Sequence, residues 1–203
     1  MKNKQIKKIA ITSILASISI ILYLFIKFPL PIFPSFLEIN FSMLPIVIGG
    51  YIVGPIYGSI IVLIRFLAKL IIMVTHTAGV GEIADLLIGL FVVLTSSIIY
   101  QKKHDKKGAI ISLIMSSLIW ILSATLLNWL LLVPAYIKMY FNGDVSIFVR
   151  VLSIIPSINE TNYMWKYIVF AVIPFNMLLS TTVSLITFFV YKPLSKTINK
   201  VLK

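Results

Sequence analysis

Cysteine is absent from this chain, so disulfides and thiolate metal sites are excluded at once. Acidic residues are scarce too, with six Asp and Glu against 18 Lys and Arg. Only 12% of the residues are charged, where soluble domains carry about a quarter. The short patterns of nucleotide and hydrolytic chemistry are also missing. There is no G-x-x-x-x-G-K-[ST] phosphate loop, no H-E-x-x-H, no G-x-S-x-G and no acidic metal cluster. The chain therefore has no ATP-hydrolysing engine of its own, no metal site is expected, and an enzyme's convergent nucleophile and base are not visible.

What fills the sequence instead is hydrocarbon. Of 203 residues, 60% are hydrophobic, and mean hydropathy is +1.06. Such a chain cannot cover a soluble surface and reads as an all-α, polytopic membrane protein. The net charge of +12 invites a nucleic-acid reading until the basic residues are located. Lys2, Lys4, Lys7 and Lys8 form one cluster, Lys102, Lys103, Lys106 and Lys107 a second, Lys192, Lys196, Lys200 and Lys203 a third. Each abuts the end of an apolar segment, where the positive-inside rule places it, so nucleic acid is not an expected partner and the lipid bilayer is. The first apolar run, Ile9 to Ile26, has the basic start of a signal peptide. It is longer than a typical apolar signal core and lacks a small-residue cleavage site, so it reads as a retained span.

A crossing helix needs about 20 apolar residues. Candidates are 6–27, 83–100, 109–133 and 165–190, with 41–74 too long for one span and short for two. Parity decides. An even number of crossings must separate the lysine clusters if all face the cytoplasm, so 41–74 divides at Gly54-Pro55 into 41–53 and 56–74. The expectation is a single integral membrane domain, 1–203: a compact bundle of six helices with both termini cytoplasmic. Outward loops fall at 28–40, 75–82 and 134–164, the last holding a turn at Asn142-Gly143-Asp144.

Polar residues inside such spans carry the functional information. Thr12, Ser13, Ala16 and Ser17 give small residues one turn apart, suited either to internal packing or to a docking face for another helix. Gly50, Gly54 and Gly58 recur at fours, which reads as close backbone packing around a turn. Arg65 and Lys69 share a helix face, and Glu82 and Asp85 on the next span offer partners. This set is either a structural ion-pair network or a ligand-facing polar wall. His76, without a spaced partner, reads as a loop hydrogen-bonding residue rather than a ligand. Asn128 is costly if it faces lipid, and Asn176 poses the same problem beside Pro174. Asn176 either repairs the backbone that Pro174 disturbs or joins Asn128 in one cavity suited to a neutral heterocycle.

Several stretches also resemble a known family. They are Phe28-Pro29-Leu30-Pro31, then Phe36-Leu37-Glu38-Ile39-Asn40-Phe41-Ser42 and Pro45, and the run Gly79 to Gly89. Asn128 ahead of Pro134-Ala135-Tyr136, and Pro174-Phe175-Asn176, complete the set. Together they resemble the substrate-binding S components of energy-coupling factor (ECF) vitamin transporters, most closely the riboflavin-specific branch. The resemblance implies a six-helix bundle of the bacterial cell membrane that captures a vitamin at its outer face. It implies as partners a transmembrane coupling (T) component and two cytoplasmic ATPases, which dock on the small-residue face of the first helix. Riboflavin is then the transported ligand, with no resident cofactor, and Leu37, Asn128 and Asn176 match the family's flavin contacts. Two positions depart from the pattern: Leu179 stands where relatives usually have Lys, and Met43 replaces an acidic residue. Either the pocket holds riboflavin with Arg65, Lys69 or Lys166 serving instead, or it holds another small heterocycle; Glu82 completes the expected ligand set.

Overall fold

The computed structural model describes residues 2–72 and 79–202. Among them, five helical stretches are long and apolar enough to cross a membrane: Asn3–Phe25, Pro55–Ile72, Val80–Lys102, Lys106–Tyr140 and Tyr163–Lys196. A sixth, Met43–Ile52, is apolar but short. These are the six predicted segments in order, with the last two much longer than expected. We label the helices α1 (Lys2–Phe25), α2 (Met43–Ile52), α3 (Pro55–Ile72), α4 (Val80–Lys102), α5 (Lys106–Leu127), α6 (Val133–Tyr140), α7 (Val145–Val151), α8 (Tyr163–Tyr167) and α9 (Ile173–Leu202). Two three-residue strands, β1 (Lys27–Pro29) and β2 (Glu38–Asn40), pair antiparallel with Phe28 opposite Ile39. Helical periodicity gave no hint of this hairpin, which folds the first loop back on itself.

The Gly54-Pro55 break is real. Gly54 takes φ +116°, a conformation open to glycine, and Pro55 opens α3. A Cβ on Gly58 would stand 2.9 Å from the Cα of Gly50, so α2 and α3 meet backbone to backbone, as the packing reading expected. Ten residues make α2 roughly 15 Å long, half the hydrocarbon core. Its missing half is supplied by the first loop. Ser42, just before α2, is held between α1 and α3: its carbonyl accepts from the Ser19 hydroxyl at 2.7 Å, and its hydroxyl accepts from Arg65 Nη1 at 2.7 Å. The loop thus packs between α1 and α3 ahead of the short α2, which explains why 41–74 was too short for two ordinary spans.

One end of the bundle gathers the start of α1, the end of α4 and the Tyr191 region of α9, the segments that carry the three lysine clusters. Lys8 Nζ lies 5.3 Å from the Tyr57 ring at the start of α3. Tyr51, ending α2, stacks on Tyr100 of α4 at 4.1 Å, and Tyr191 of α9 packs edge-on against both. Such a gathering of basic segments is what the positive-inside rule expects of a cytoplasmic face.

The opposite end is built by proline. Pro134 and Pro174 each follow a π-helical turn, Asn128–Leu132 and Ile168–Val172. The N–H groups of Val133 and Ile173 reach back five residues, to the carbonyls of Asn128 and Ile168. The wider turn makes room for a ring that would otherwise strike the carbonyl four residues earlier, so each helix continues through its proline. Loop 134–164 is correspondingly shorter than predicted. Asn142 and Gly143 adopt φ of 50° and 85° and form the expected turn into α7. Val133, Ile137, Phe148, Leu152 and Tyr167 form a small second core that closes this end.

Candidate functional site

Beneath the first loop lies a cavity of about 240 Å³, where the start of α2 meets α3, α4, α5 and α9. Larger concavities occur along α5 and α9, among the lysines at the end of α9, and between the first loop and the segment after α7, but they are more open and none joins five elements. Leu37, Met43, Trp120, Phe175 and Leu179 give the cavity an apolar, aromatic side. Asn40, Ser42, Arg65 and Asp85 give it a polar one, and Asn176 adds an amide beside Trp120 and Phe175. A mostly apolar concavity with a few convergent polar groups is the usual form of a small-molecule site.

The charged wall is ordered by pairing. Arg65 is 3% exposed, and its Nη2 donates to Asp85 Oδ2 at 2.8 Å while Nη1 holds Ser42. Its Nε is buried with no hydrogen-bond partner among the described atoms. One turn on, Lys69 hydrogen-bonds the Tyr23 hydroxyl and lies 3.2 Å from Glu82 Oε1. Tyr23 also places its ring 5.2 Å from the Arg65 guanidinium and 4.7 Å from the Lys69 ammonium. The α1 aromatic therefore screens both cations from lipid. Arg65 and Asp85 line the cavity, whereas Lys69 and Glu82 stand behind them.

The amide wall divides the same way. Asn176 lines the cavity: its Nδ2 donates to the Val172 carbonyl at 2.8 Å and its Oδ1 accepts from Trp120 Nε1 at 3.1 Å. The amide thus bonds the carbonyl of Val172 rather than that of Phe170, four residues before Pro174, and it also borders the cavity. Asn128 donates in the same fashion to Ala124, at 2.8 Å, and accepts from the Tyr167 hydroxyl at 3.2 Å. It is not among the residues lining the cavity, so the two amides do not converge on one space.

The other expected residues fall as follows. Leu37 lines the cavity, and its N–H is held in a turn by the Pro34 carbonyl at 2.9 Å. Leu179 and Met43, the two departures from the resemblance, both line it as well. Lys166 lies apart, donating to the carbonyls of Pro156 and Ser157 in the outer loop. On α1 the small residues split by face. Thr12 and Ala16 are buried at 4% and 2%, packed inside the bundle, so they are not a docking surface. Ser13 and Ser17 are exposed on the outside. His76 lies outside the described residues. Among the described residues no group of His, Asp and Glu side chains converges to hold a metal.

Trp120, Phe175 and Tyr23 were not singled out from the sequence. An aromatic in an apolar span carries no distinguishing periodicity, although the indole N–H of Trp120 needs a buried acceptor and was a usable sign.

Residues 7–191 match the family model described as the ECF transporter, substrate-specific component. The chain is 27% identical over 201 residues to the riboflavin transporter RibU of Staphylococcus aureus (strain TCH60), covering 99% of this chain and 97% of that one. It is 32% identical over 134 residues to the riboflavin transporter FmnP of Bacillus subtilis (strain 168), covering 65% and 70% respectively. A solved S component of a bacterial ECF transporter superposes with a TM-score of 0.71 at 26% identity, over 96% of this chain and 98% of the other. The chain belongs to the substrate-specific components of ECF transporters, and it is an integral membrane protein of transport.

Proposed function

We propose that the chain captures riboflavin, or a closely related flavin, in the cavity beneath the first loop and acts in uptake as a binding subunit without catalysis. One observation carries the reading: a single cavity has an aromatic, apolar side that bears an amide and another side of charged and hydroxyl groups. A flavin has the same division, with a flat ring system bearing an imide edge and a polyhydroxyl chain. Asn176 has spent one amide hydrogen and one oxygen lone pair, so one donor and one acceptor remain for an imide. The names of the relatives point to the same ligand. At about 240 Å³ the cavity is below the ~300–1,000 Å³ of common ligand pockets, so a flavin enters only if the first loop moves outward. That loop is pinned by Phe33 against Phe175, at 5.4 Å between ring centres, and by Phe36 against Tyr167, at 6.0 Å.

The family relation supports the energising partners: a T component and two ATPases, supplying the hydrolysis this chain has no phosphate loop to perform. The exposed Ser13 and Ser17 on α1 are the docking face in this reading. Arg65, Lys69, Glu82 and Asp85, the residues that a self-sufficient carrier would use, are engaged with one another.

A second reading is favoured by Leu179 and Met43. Both face the cavity, and with neither charged the site suits a less polar heterocycle equally well. Titrating the purified chain with riboflavin and following flavin fluorescence tests the choice: saturable quenching at one site is expected. No quenching, with another heterocycle co-purifying, would move the ligand to the second reading. ATP-independent flux from liposomes holding this chain alone would overturn the subunit role. Ser13→Trp is expected to abolish uptake that depends on the partners while leaving flavin binding unchanged.

A further inference from the structure

On the lipid-facing side of α5 and α9 runs a groove of about 470 Å³, bordered by Ile114, Leu118, Met177, Thr181, Leu185 and Phe188. Ser117 and Ser184 also touch it, but their hydroxyls are hydrogen-bonded to each other at 2.9 Å, which leaves the groove apolar. Ile114, Leu118, Met177 and Leu185 are each more than half exposed, so the groove opens to the membrane. From Met177 to Phe188 it follows eleven residues of α9, roughly 16 Å at ~1.5 Å per residue. That is the depth of one leaflet of hydrocarbon, about half of ~30 Å.

The groove does not end in water. Phe188 also borders a second concavity, of about 460 Å³, lined by Lys106, Lys192 and Lys196. Lys106 Nζ lies 5.9 Å from the Phe188 ring, at the junction of the two spaces. Lys192 follows Phe188 by one turn and Lys196 by two, on the same face. All three lysines are exposed, and none takes part in an ion pair among the described residues. Positive charge at this end of the bundle sets topology, but topology requires only a count of charges. It does not require three of them to converge on the mouth of a leaflet-deep apolar groove.

We propose that the groove and the basic pocket form one site for an anionic phospholipid, with an acyl chain along α5 and α9 and the phosphate headgroup among Lys106, Lys192 and Lys196. The length of the apolar part fits a lipid chain in one leaflet. The lysines stand at the depth of its headgroup, where basic side chains between helices hold anionic lipids. A neutral lipid would fill the groove and leave the lysines unused.

The test is native mass spectrometry of the full chain released from micelles carrying equal phosphatidylglycerol and phosphatidylcholine of the same acyl chains. Retention of one phosphatidylglycerol, favoured at least tenfold, is expected. Exchanging Lys192 and Lys196 for Gln should cut that preference about fivefold per charge removed. Thr181→Trp, on the exposed rim, should fill the groove and lower retention with every lysine intact; Leu118→Trp repeats this from α5. Millimolar inorganic phosphate is expected not to displace the lipid. Equal retention of the two lipids, preference unchanged in the Gln variant, or retention unaffected by both Trp variants would each overturn the proposal. The readout is independent of riboflavin binding.

Discussion

Two polar walls border the cavity, and each is two layers deep. On one side Arg65 and Asp85 touch the cavity while Lys69, Glu82 and Tyr23 stand behind them. On the other, Asn176 and Trp120 touch it while Asn128 and Tyr167 are tied together elsewhere. Burial does not separate facing from bracing groups: Arg65 and Glu82 are 3% and 2% exposed, Asn176 and Asn128 8% and 9%. Residue type does not separate them either. Hydrogen bonding does not separate them, since Asn176 and Asn128 each donate to the carbonyl four residues back and accept from an aromatic side chain. What differs is place: a facing group borders the cavity, and a bracing group does not.

The largest effect that sharpens this division is expected from Arg65→Met. It strands Asp85 and removes the donor that holds Ser42, breaking a buried pair at a cost of about 3 kcal/mol, the low end because Asp85 is 30% exposed. A markedly lower melting temperature in detergent and flavin binding weakened more than tenfold are both expected. Glu82→Gln comes next, losing a charge-assisted contact to Lys69 worth roughly 2 kcal/mol. Here the melting temperature should fall while flavin affinity stays within about twofold. If Glu82→Gln weakens binding as much as Arg65→Met, the distinction between layers collapses.

The sequence carried the bundle further than the site, for a physical reason. Six apolar segments, the Gly54-Pro55 corner and the common end of the lysine clusters follow from the cost of polar groups in lipid, which any chain must respect. The expected fifth span stops at 133, just before Pro134, while 165–190 runs through Pro174; only three-dimensional packing shows that a π turn absorbs each ring. For the site, composition found the charged group and both amides, since each is expensive in a span. It could not say which way they point. Thr12 and Ser13 differ by one residue, about 100° around α1, and that rotation places one inside the bundle and the other outside. Lys166 shows the opposite failure: a cation adjacent to a span that spends its ammonium on loop carbonyls.

The amide wall gives the finer comparison. Asn176→Ala removes the cavity's remaining amide donor and acceptor and leaves the Trp120 indole N–H without its acceptor. Flavin binding is expected to weaken by about 1–3 kcal/mol, the usual cost of stranding a buried polar group, measured by fluorescence titration. Asn128→Ala is the matched control, with affinity within about twofold of the parent.

The smallest effect isolates bracing from all else. Tyr167→Phe deletes one hydroxyl, keeps the ring packed against Phe36 and Phe148, and takes from Asn128 Oδ1 the donor it receives at 3.2 Å. One hydrogen bond of this kind contributes about 1 kcal/mol, so a small drop in melting temperature is expected and no change in flavin affinity. The ring contact matters to the logic, because Phe36 belongs to the loop over the cavity. If the loop is held through the Tyr167 ring, phenylalanine preserves that hold and the two readouts part. A loss of affinity in Tyr167→Phe would mean instead that the hydroxyl orders the loop through Asn128, and that the second layer of the amide wall governs ligand entry.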